Sequence, residues 1–287
     1  MRGRVARGQG WVGARRGGWG GRERCWGELG AGETGWVEIR FSSQAAPDRV
    51  GANEDLVVSG AGFAVVLDGA TPMPGVESGC RHSVAWLVGQ LGRFLAPGLV
   101  TGSEASLAEL LAEAIEAVGR EHSDTCDLGN PDSPSSTVAI VRVQSEAVEH
   151  LVLADSPVVY RAPAGEVTVH SDERLERLPE RTVESVRRLR NAPGGFWVAS
   201  TKPDAAYEAV TGTTDRSEVE AIGVLSDGAS RFSEQYGHSW EELMAVLTSE
   251  GPSRLIDRVR AYDAAAPTVR WKRYDDATAV LLYELGR

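Results

Sequence analysis

Two stretches, AVVLDGAT at residues 64–71 and GVLSDGAS at residues 223–230, each drive an apolar run into Asp-Gly. A run without polar alternation belongs to a strand covered on both faces, so such a chain must bury its sheets between other layers. Two more places join acid to an apolar strand: Asn53-Glu54-Asp55 ahead of LVV, and Asp275-Asp276 ahead of ATAVLL. Strand tips gather residues distant in sequence at one end of a sheet, where uncompensated carboxylates repel one another.

Cations answer that repulsion. Carboxylate oxygens are hard ligands suited to Mg²⁺ or Mn²⁺, and a shared Asp can bridge two such ions about 4 Å apart. A glycine after each Asp lets the backbone turn sharply off the strand and can expose a carbonyl oxygen to a metal. Ions so placed lower the pKa of a bridging water and hold phosphate oxygens, which suits in-line phosphoester hydrolysis without a protein nucleophile.

The rest of the chain supplies covering layers. WVEIRFSS alternates and reads as a strand; GFAVVLDG, HLVLADSPVVYR, STVAIVRV and TAVLLYEL read as further strands. SEASLAELLAEAIEAVGREH puts Leu107, Leu110, Leu111, Ala114, Ile115 and Val118 on one helical face, and CRHSVAWLVGQLGRFL repeats the spacing with Val84, Leu87, Val88, Leu91 and Leu95. Ser239 and Glu242 form a capping box ahead of Leu243 and Leu247, and another helix follows Pro252. Helical pieces on either side of Pro179 fill the middle region.

Residues 1–35 hold seven Arg against three Glu and twelve Gly, with no period of 2 or 3.6. They read as a disordered or dispensable extension with a short added strand at most; the alternative is an Arg/Gly tail whose Trp11, Trp19 and Trp26 touch RNA or a partner. A single domain is expected over residues 36–287. With +4 in the extension and −11 overall, the remainder carries −15, which disfavours nucleic acid as a ligand. No apolar run approaches the ~20 residues that cross a bilayer and no signal peptide is evident, so a soluble cytoplasmic protein without a membrane partner is expected. Cys25, Cys80 and Cys126 show no CxxC pairing and the five His no metal-ligand spacing, so the thiols read as bland and a zinc site as improbable.

NEDLVV, VVLDGAT, SPSSTVAIVRV, LVLADSPVVYR, VLSDGAS and RYDDATAVLLYEL stand in the order and approximate spacing of the motifs of metal-dependent Ser/Thr protein phosphatases of type 2C. The resemblance covers essentially 36–287. It implies an α+β fold, a four-layer α/β/β/α sandwich with two central antiparallel sheets, and two divalent cations, Mg²⁺ or Mn²⁺, at one end. By that resemblance Asp68 looks like the bridging ligand and Gly69 the carbonyl ligand. Glu54 resembles an acidic partner of one ion, Asp227 and Asp275 resemble ligands of the other, and Asp55 holds metal-bound water. Asp155 is a candidate for a third, weaker cation or a turn residue. The implied activity is hydrolysis of phosphoserine and phosphothreonine in proteins by a water bridging the two ions. The implied partners are phosphorylated proteins and a cognate Ser/Thr kinase.

The sequence departs from the family pattern at three places. Val50 stands where relatives carry a phosphate-binding Arg; neighbouring Arg49 reaches the site by a local bulge or is a surface residue. Ala70 replaces a His proposed as general acid in many relatives, a role for which His82 is the substitute candidate, although a His there more often caps or packs. Arg231 stands where relatives often have another Asp. These departures keep open a catalytically weak pseudophosphatase acting as a regulatory, phosphoprotein-binding module. In the segment resembling the family's variable flap, Arg187, Arg188 and Arg190 attract phosphopeptides or form a solvated basic face. High Ala, Gly, Arg and Val usage resembles proteins of high-GC bacteria such as actinomycetes. Other chemistries fail on the residues: Val66 takes the place of an aspartyl nucleophile in DxDGT, and neither GxxxxGK[ST] nor GxSxG occurs.

Overall fold

The computed structural model describes residues 19–26, 36–48, 53–70, 75–180, 182–266 and 272–285. Eleven strands form two antiparallel sheets. They are β1 (Trp19–Trp26), β2 (Trp36–Gln44), β3 (Leu56–Gly60), β4 (Phe63–Ala70), β5 (Ser135–Val143), β6 (Ala147–Leu153), β7 (Val158–Arg161), β8 (Val167–His170), β9 (Val210–Asp215), β10 (Ala221–Leu225) and β11 (Ala277–Tyr283). One sheet runs β3-β4-β5-β6-β9, the other β1-β2-β11-β10-β7-β8. The helices are α1 (Val84–Val100), α2 (Leu107–His122), α3 (Val183–Leu189), α4 (Asp227–Glu234), α5 (Trp240–Ser249) and α6 (Pro252–Ala265).

Side-chain alternation along β4 shows why the layers are four. Phe63, Val65 and Leu67 pack outward into a core with Leu91 and Leu95 of α1 and Leu111 and Ile115 of α2. Ala64 and Val66 point the other way, into the seam between the sheets with Ala139, Val141, Ile222, Val224 and Val280. On the far side Leu225, Ala279 and Leu281 meet Leu243 and Leu247 of α5 and Leu255, Ile256 and Val259 of α6. Both faces of β4 are therefore dry from Phe63 to Leu67, and that run carries no polar residue because neither face meets water. The expected four-layer sandwich is the observed one.

Local chemistry sets the element ends. Ser239 and Glu242 close the expected capping box on α5, and Ser106 and Glu109 close a second on α2. The run HLVLADSPVVYR divides: β6 lies in one sheet and β7 in the other, with Ala154 at φ 66° ahead of Asp155-Ser156-Pro157 where the chain crosses. Residues 19–26 pair with β2 as an edge strand, Trp19 opposite Ser43 and Cys25 opposite Val37. β9, reading VTGTTD, has no apolar alternation to announce it and pairs along β6 from Ala147↔Asp215 to Val152↔Val210. No helix among the described residues is long and apolar enough to cross a membrane.

Small side chains such as Ala64 let the two sheets approach. Ala64→Leu is expected to cost about 1–3 kcal/mol by overpacking the seam, read as a lowered denaturation midpoint at unchanged slope in urea.

Candidate metal centre

Strand register carries the acidic residues to one end of the sandwich. Leu56 of β3 pairs with Leu67 of β4, so Asp55, one residue earlier, falls beside Asp68. Asp68 pairs with Thr137 of β5, and Val138 pairs with Leu153, which brings Asp155 just past β6 to the same edge. In the other sheet Leu225 pairs with Ala279, so Asp227 beyond β10 and Asp275 ahead of β11 leave the sheet at that end too. The two sheets meet there through the backbone N–H of Asp227, at the first turn of α4, which donates to Asp68 Oδ2 at 3.3 Å.

Both glycines that follow the key acids are needed for close approach. A Cβ on Gly69 would lie 2.4 Å from Val84 Cγ1 and 2.8 Å from the Glu54 carbonyl oxygen. On Gly228 it would lie 2.0 Å from the Asp276 carbonyl oxygen, backbone that cannot move aside. Neither glycine has a positive φ. The sharp turn expected from the sequence is therefore replaced by tight backbone packing, which brings α4 against the Asp275-Asp276 segment.

Burial and mutual repulsion dominate the electrostatics. Desolvation, then the charges of Asp55, Asp227, Asp275 and Asp155, hold the Asp68 carboxyl well above its ordinary range. Burial lifts Asp55 to about 7, with Asp276 and Asp227 adding to the rise. Asp275 is raised to about 6 by burial and then Asp227. Burial raises Asp227, with Asp155 adding to it, and burial raises Asp155. Both carboxylate oxygens of Asp55 and Oδ1 of Asp227 are buried without a hydrogen-bond partner among the described residues. The Thr278 and Ser226 hydroxyls moderate the rise at Asp55, yet Thr278 gives its proton to Ser43 instead. Buried orphan carboxylate oxygens at a converging edge are a donor set that fits hard divalent cations.

The sequence candidates separate on this geometry. Asp55, Asp68, Asp155, Asp227 and Asp275 share one electrostatic cluster. Glu54 lies beside Gly69 through its backbone and Cβ, and its N–H donates to Asp276 Oδ2 at 2.8 Å. Asp276 also accepts from the Ala46 N–H at 2.8 Å, so it ties loops together. Arg49 and Val50 lie outside the described residues. His82 is not at the cluster: its ring stacks on Trp86 at 4.0 Å between centroids and its Nδ1 lies 3.4 Å from Cys126 Sγ, which removes it as a substitute acid. In the flap segment, Arg190 donates to the carbonyls of Pro131 and Ser133 and Arg187 pairs with Asp132 at 3.0 Å.

Sequence reasoning missed two neighbours of the cluster, Lys272 and Glu234, and read a third, Arg231, only as a departure from the family pattern. Arg231 Nη2 pairs with Asp275 Oδ2 at 3.0 Å while its Nη1 lies 3.4 Å from the fully buried Asp263. Lys272 Nζ contacts Asp275 Oδ1, and its own pKa is raised, against the effect of burial, by Asp275, Asp227 and Asp68. Glu234, seven residues after Asp227 on α4, is raised to about 7 by burial and accepts from Ser230 at 2.8 Å. Charge alternation in KRYDD signals Lys272; only the helical spacing from Asp227 signals Glu234. A cavity of about 1160 Å³ opens at the opposite end of the sandwich, between Asp215, Arg216 and Tyr283, and holds none of these groups.

The chain matches the family model for protein phosphatase 2C over residues 48–260. Among solved structures, the serine/threonine phosphatase PstP/Ppp of Mycobacterium tuberculosis shares 16% identity at a TM-score of 0.55, covering 86% of this chain and 98% of that one. The catalytic domain of PstP in complex with two manganese ions gives 16%, 0.56, 86% and 97%. The phosphatase MsPP of Mycobacterium smegmatis in complex with cacodylate gives 18%, 0.55, 85% and 97%. At such identities the likeness is one of fold. No curated protein matches the chain. With the family match spanning well over half of its length, and with the acidic strand ends gathered at one edge of a two-sheet sandwich, the chain belongs to the protein phosphatase 2C family.

Proposed function

We propose that this protein is a metal-dependent phosphatase acting on phosphoserine and phosphothreonine of proteins. The observation that carries the reading is the convergence of five acids from separate strand ends, two of them with orphaned buried oxygens, in a chain of this family. Asp68 would be shared between two ions and Gly69 would offer its carbonyl oxygen to one of them. Glu54 would serve that ion, Asp227 and Asp275 the second and Asp155 a weaker third, while Asp55 would hold bound water. Divalent ions bound there, Mg²⁺ or Mn²⁺, supply a water of lowered pKa and positive charge to offset the phosphate oxygens.

The chain's own residues do the rest. Asp276 fixes the loops that present Glu54 and Asp275, through its bonds to the Ala46 and Glu54 amides. The amide at the start of α4 orients Asp68. Ala70 brings no acid to the leaving oxygen, so its proton comes from water. Arg49 is the candidate cation for the substrate phosphate.

Asp68→Asn, Asp227→Asn and Asp275→Asn are each expected to lower Mn²⁺-dependent hydrolysis of p-nitrophenyl phosphate and of a phosphothreonine peptide by about 100-fold or more. Wild-type turnover no greater than that of Asp68→Asn would contradict the phosphatase reading.

The raised carboxyls also set a pH dependence. Each binds its proton more tightly in the folded than in the unfolded chain, so this contribution to stability is fully present below the unfolded value of 3.8. It is lost as pH rises through about 6 for Asp275 and about 7 for Asp55. In a thermal series, chelator-treated protein should lose stability across that window while saturating Mn²⁺ restores it. Asp68→Asn should flatten both effects.

Lys272 competes with a cation for Asp275. Its ion pair is half exposed, at 51% for the Lys side chain, and worth about 1 kcal/mol at most. Lys272→Ala should therefore lower the Mn²⁺ concentration giving half-maximal activity by up to roughly fivefold, read from metal titrations.

A further inference from the structure

Away from the carboxylates, the loop entering α1 and the C-terminal end of α2 bring together Cys80, His82, His122 and Cys126, one ligand atom of each lying within 4.8 Å of all the others. Cys80 Sγ is 3.7 Å from His82 Nδ1 and 3.6 Å from His122 Nδ1, and Cys126 Sγ is 3.4 Å from His82 Nδ1. A tetrahedral zinc with Zn–S near 2.3 Å and Zn–N near 2.05 Å sets sulfur–nitrogen edges of about 3.5–3.6 Å. The two sulfurs stand 3.0 Å apart, well beyond the ~2.05 Å of a disulfide and inside the ~3.8 Å of a tetrahedral edge.

We propose that these four side chains form a structural zinc site of Cys₂His₂ type, distinct from the carboxylate centre. Two thiolates and two imidazoles are the borderline-soft donors that zinc selects, and four protein ligands leave no position for substrate. The surroundings are those of a ligating shell. The His82 backbone N–H points at Cys80 Sγ at 3.4 Å, and Thr125 Oγ1 lies 3.7 Å from Cys126 Sγ. The Trp86 ring stacks on His82 and lies 5.1 Å from the His122 ring, which is itself buried.

Two hydrogen bonds, one from backbone and one from a side chain, already hold the loops in register around the cluster. The Asp127 N–H donates to the Gly79 carbonyl at 2.9 Å, and Asn130 Nδ2 donates to the Glu77 carbonyl at 3.0 Å. Zinc would lock the start of α1, whose Val84 packs on Gly69 next to Asp68. Binding releases the two thiol protons to solvent and involves no change of oxidation state.

The full-length protein, expressed in zinc-supplemented cells and purified without chelator, is expected to carry about one zinc per chain by elemental analysis. That zinc should survive EDTA under native conditions, persist in Asp68→Asn/Asp227→Asn, and be released on titrating the thiols with a mercurial. Cys80→Ser and Cys126→Ser should each reduce it at least roughly tenfold. Should those variants fail to fold, cobalt-substituted wild type decides: a thiolate-to-cobalt charge-transfer band with intense tetrahedral d–d bands is expected. Three results would overturn the site: zinc-free protein in which Cys80 and Cys126 titrate freely alongside Cys25, an intact mass short by two hydrogens from a Cys80–Cys126 disulfide, or zinc lost with the Asp pair and kept without the cysteines.

Discussion

The repulsion among carboxylates at one edge of the sandwich is the constraint to which the neighbouring structure answers. Asp55, Asp68 and Asp227 are desolvated together; Asp55 and Asp227 both raise the proton affinity of Asp68, and Asp227 also raises that of Asp55. Folding brings them there because the hydrophobic seam and the two helix-covered faces fix strand register, and register fixes where each strand ends. Since a one-residue slip would turn Val65 and Leu67 from the helices into the seam, the apolar alternation of β4 also dictates the place of Asp68. Core packing and site geometry are thus one decision.

Part of the repulsion is met from within. Arg231 divides its guanidinium between Asp275 and the buried Asp263, and Tyr236 and Arg260 also converge on Asp263. Lys272 adds a second positive charge at Asp275. Among the described residues no such cationic partner reaches Asp55, whose buried oxygens lie near neighbouring carboxylates and the Thr278 and Ser226 hydroxyls. The cluster is asymmetric, with ion pairs at Asp275 and, among the described residues, none at Asp55 or Asp68. A divalent ion gains most where the protein supplies least, so the two positions should differ in affinity, the weaker being the one where Lys272 already sits.

Legibility in the sequence followed the physics of each element. Strands with both faces buried, such as β4, β5 and β11, announce themselves as apolar runs, and amphipathic α2 by its 3.6 period. β9 pairs through its backbone while its Thr and Asp side chains face outward, so nothing in its composition marks it. The acids at strand tips could be read because each follows or precedes an apolar run. Gly69 and Gly228 were legible as required glycines, but their purpose, contact with backbone far away in sequence, was not. Arg231 read only as a departure, and Lys272 drew no reading, until the fold set both against Asp275.

The juxtaposition of the Cys/His cluster was not legible for a related reason. Cys80-x-His82 and His122-x₃-Cys126 are separated by the whole of α1 and α2, so no local spacing announces a ligand set. The two half-sites meet because α1 and α2 pack as neighbours on the β3-β4-β5-β6-β9 sheet, sharing one core with Leu87, Leu91, Leu111 and Ile115. Donor chemistry then keeps the two centres apart. Carboxylates gather the hard ions that chemistry on phosphate requires, while thiolates and imidazoles hold a softer one. A chain with both kinds of donor in separate packed layers can bind a permanent ion without giving it the exchangeable site. Val84 against Gly69 is the contact through which rigidity at the sulfur centre would reach Asp68.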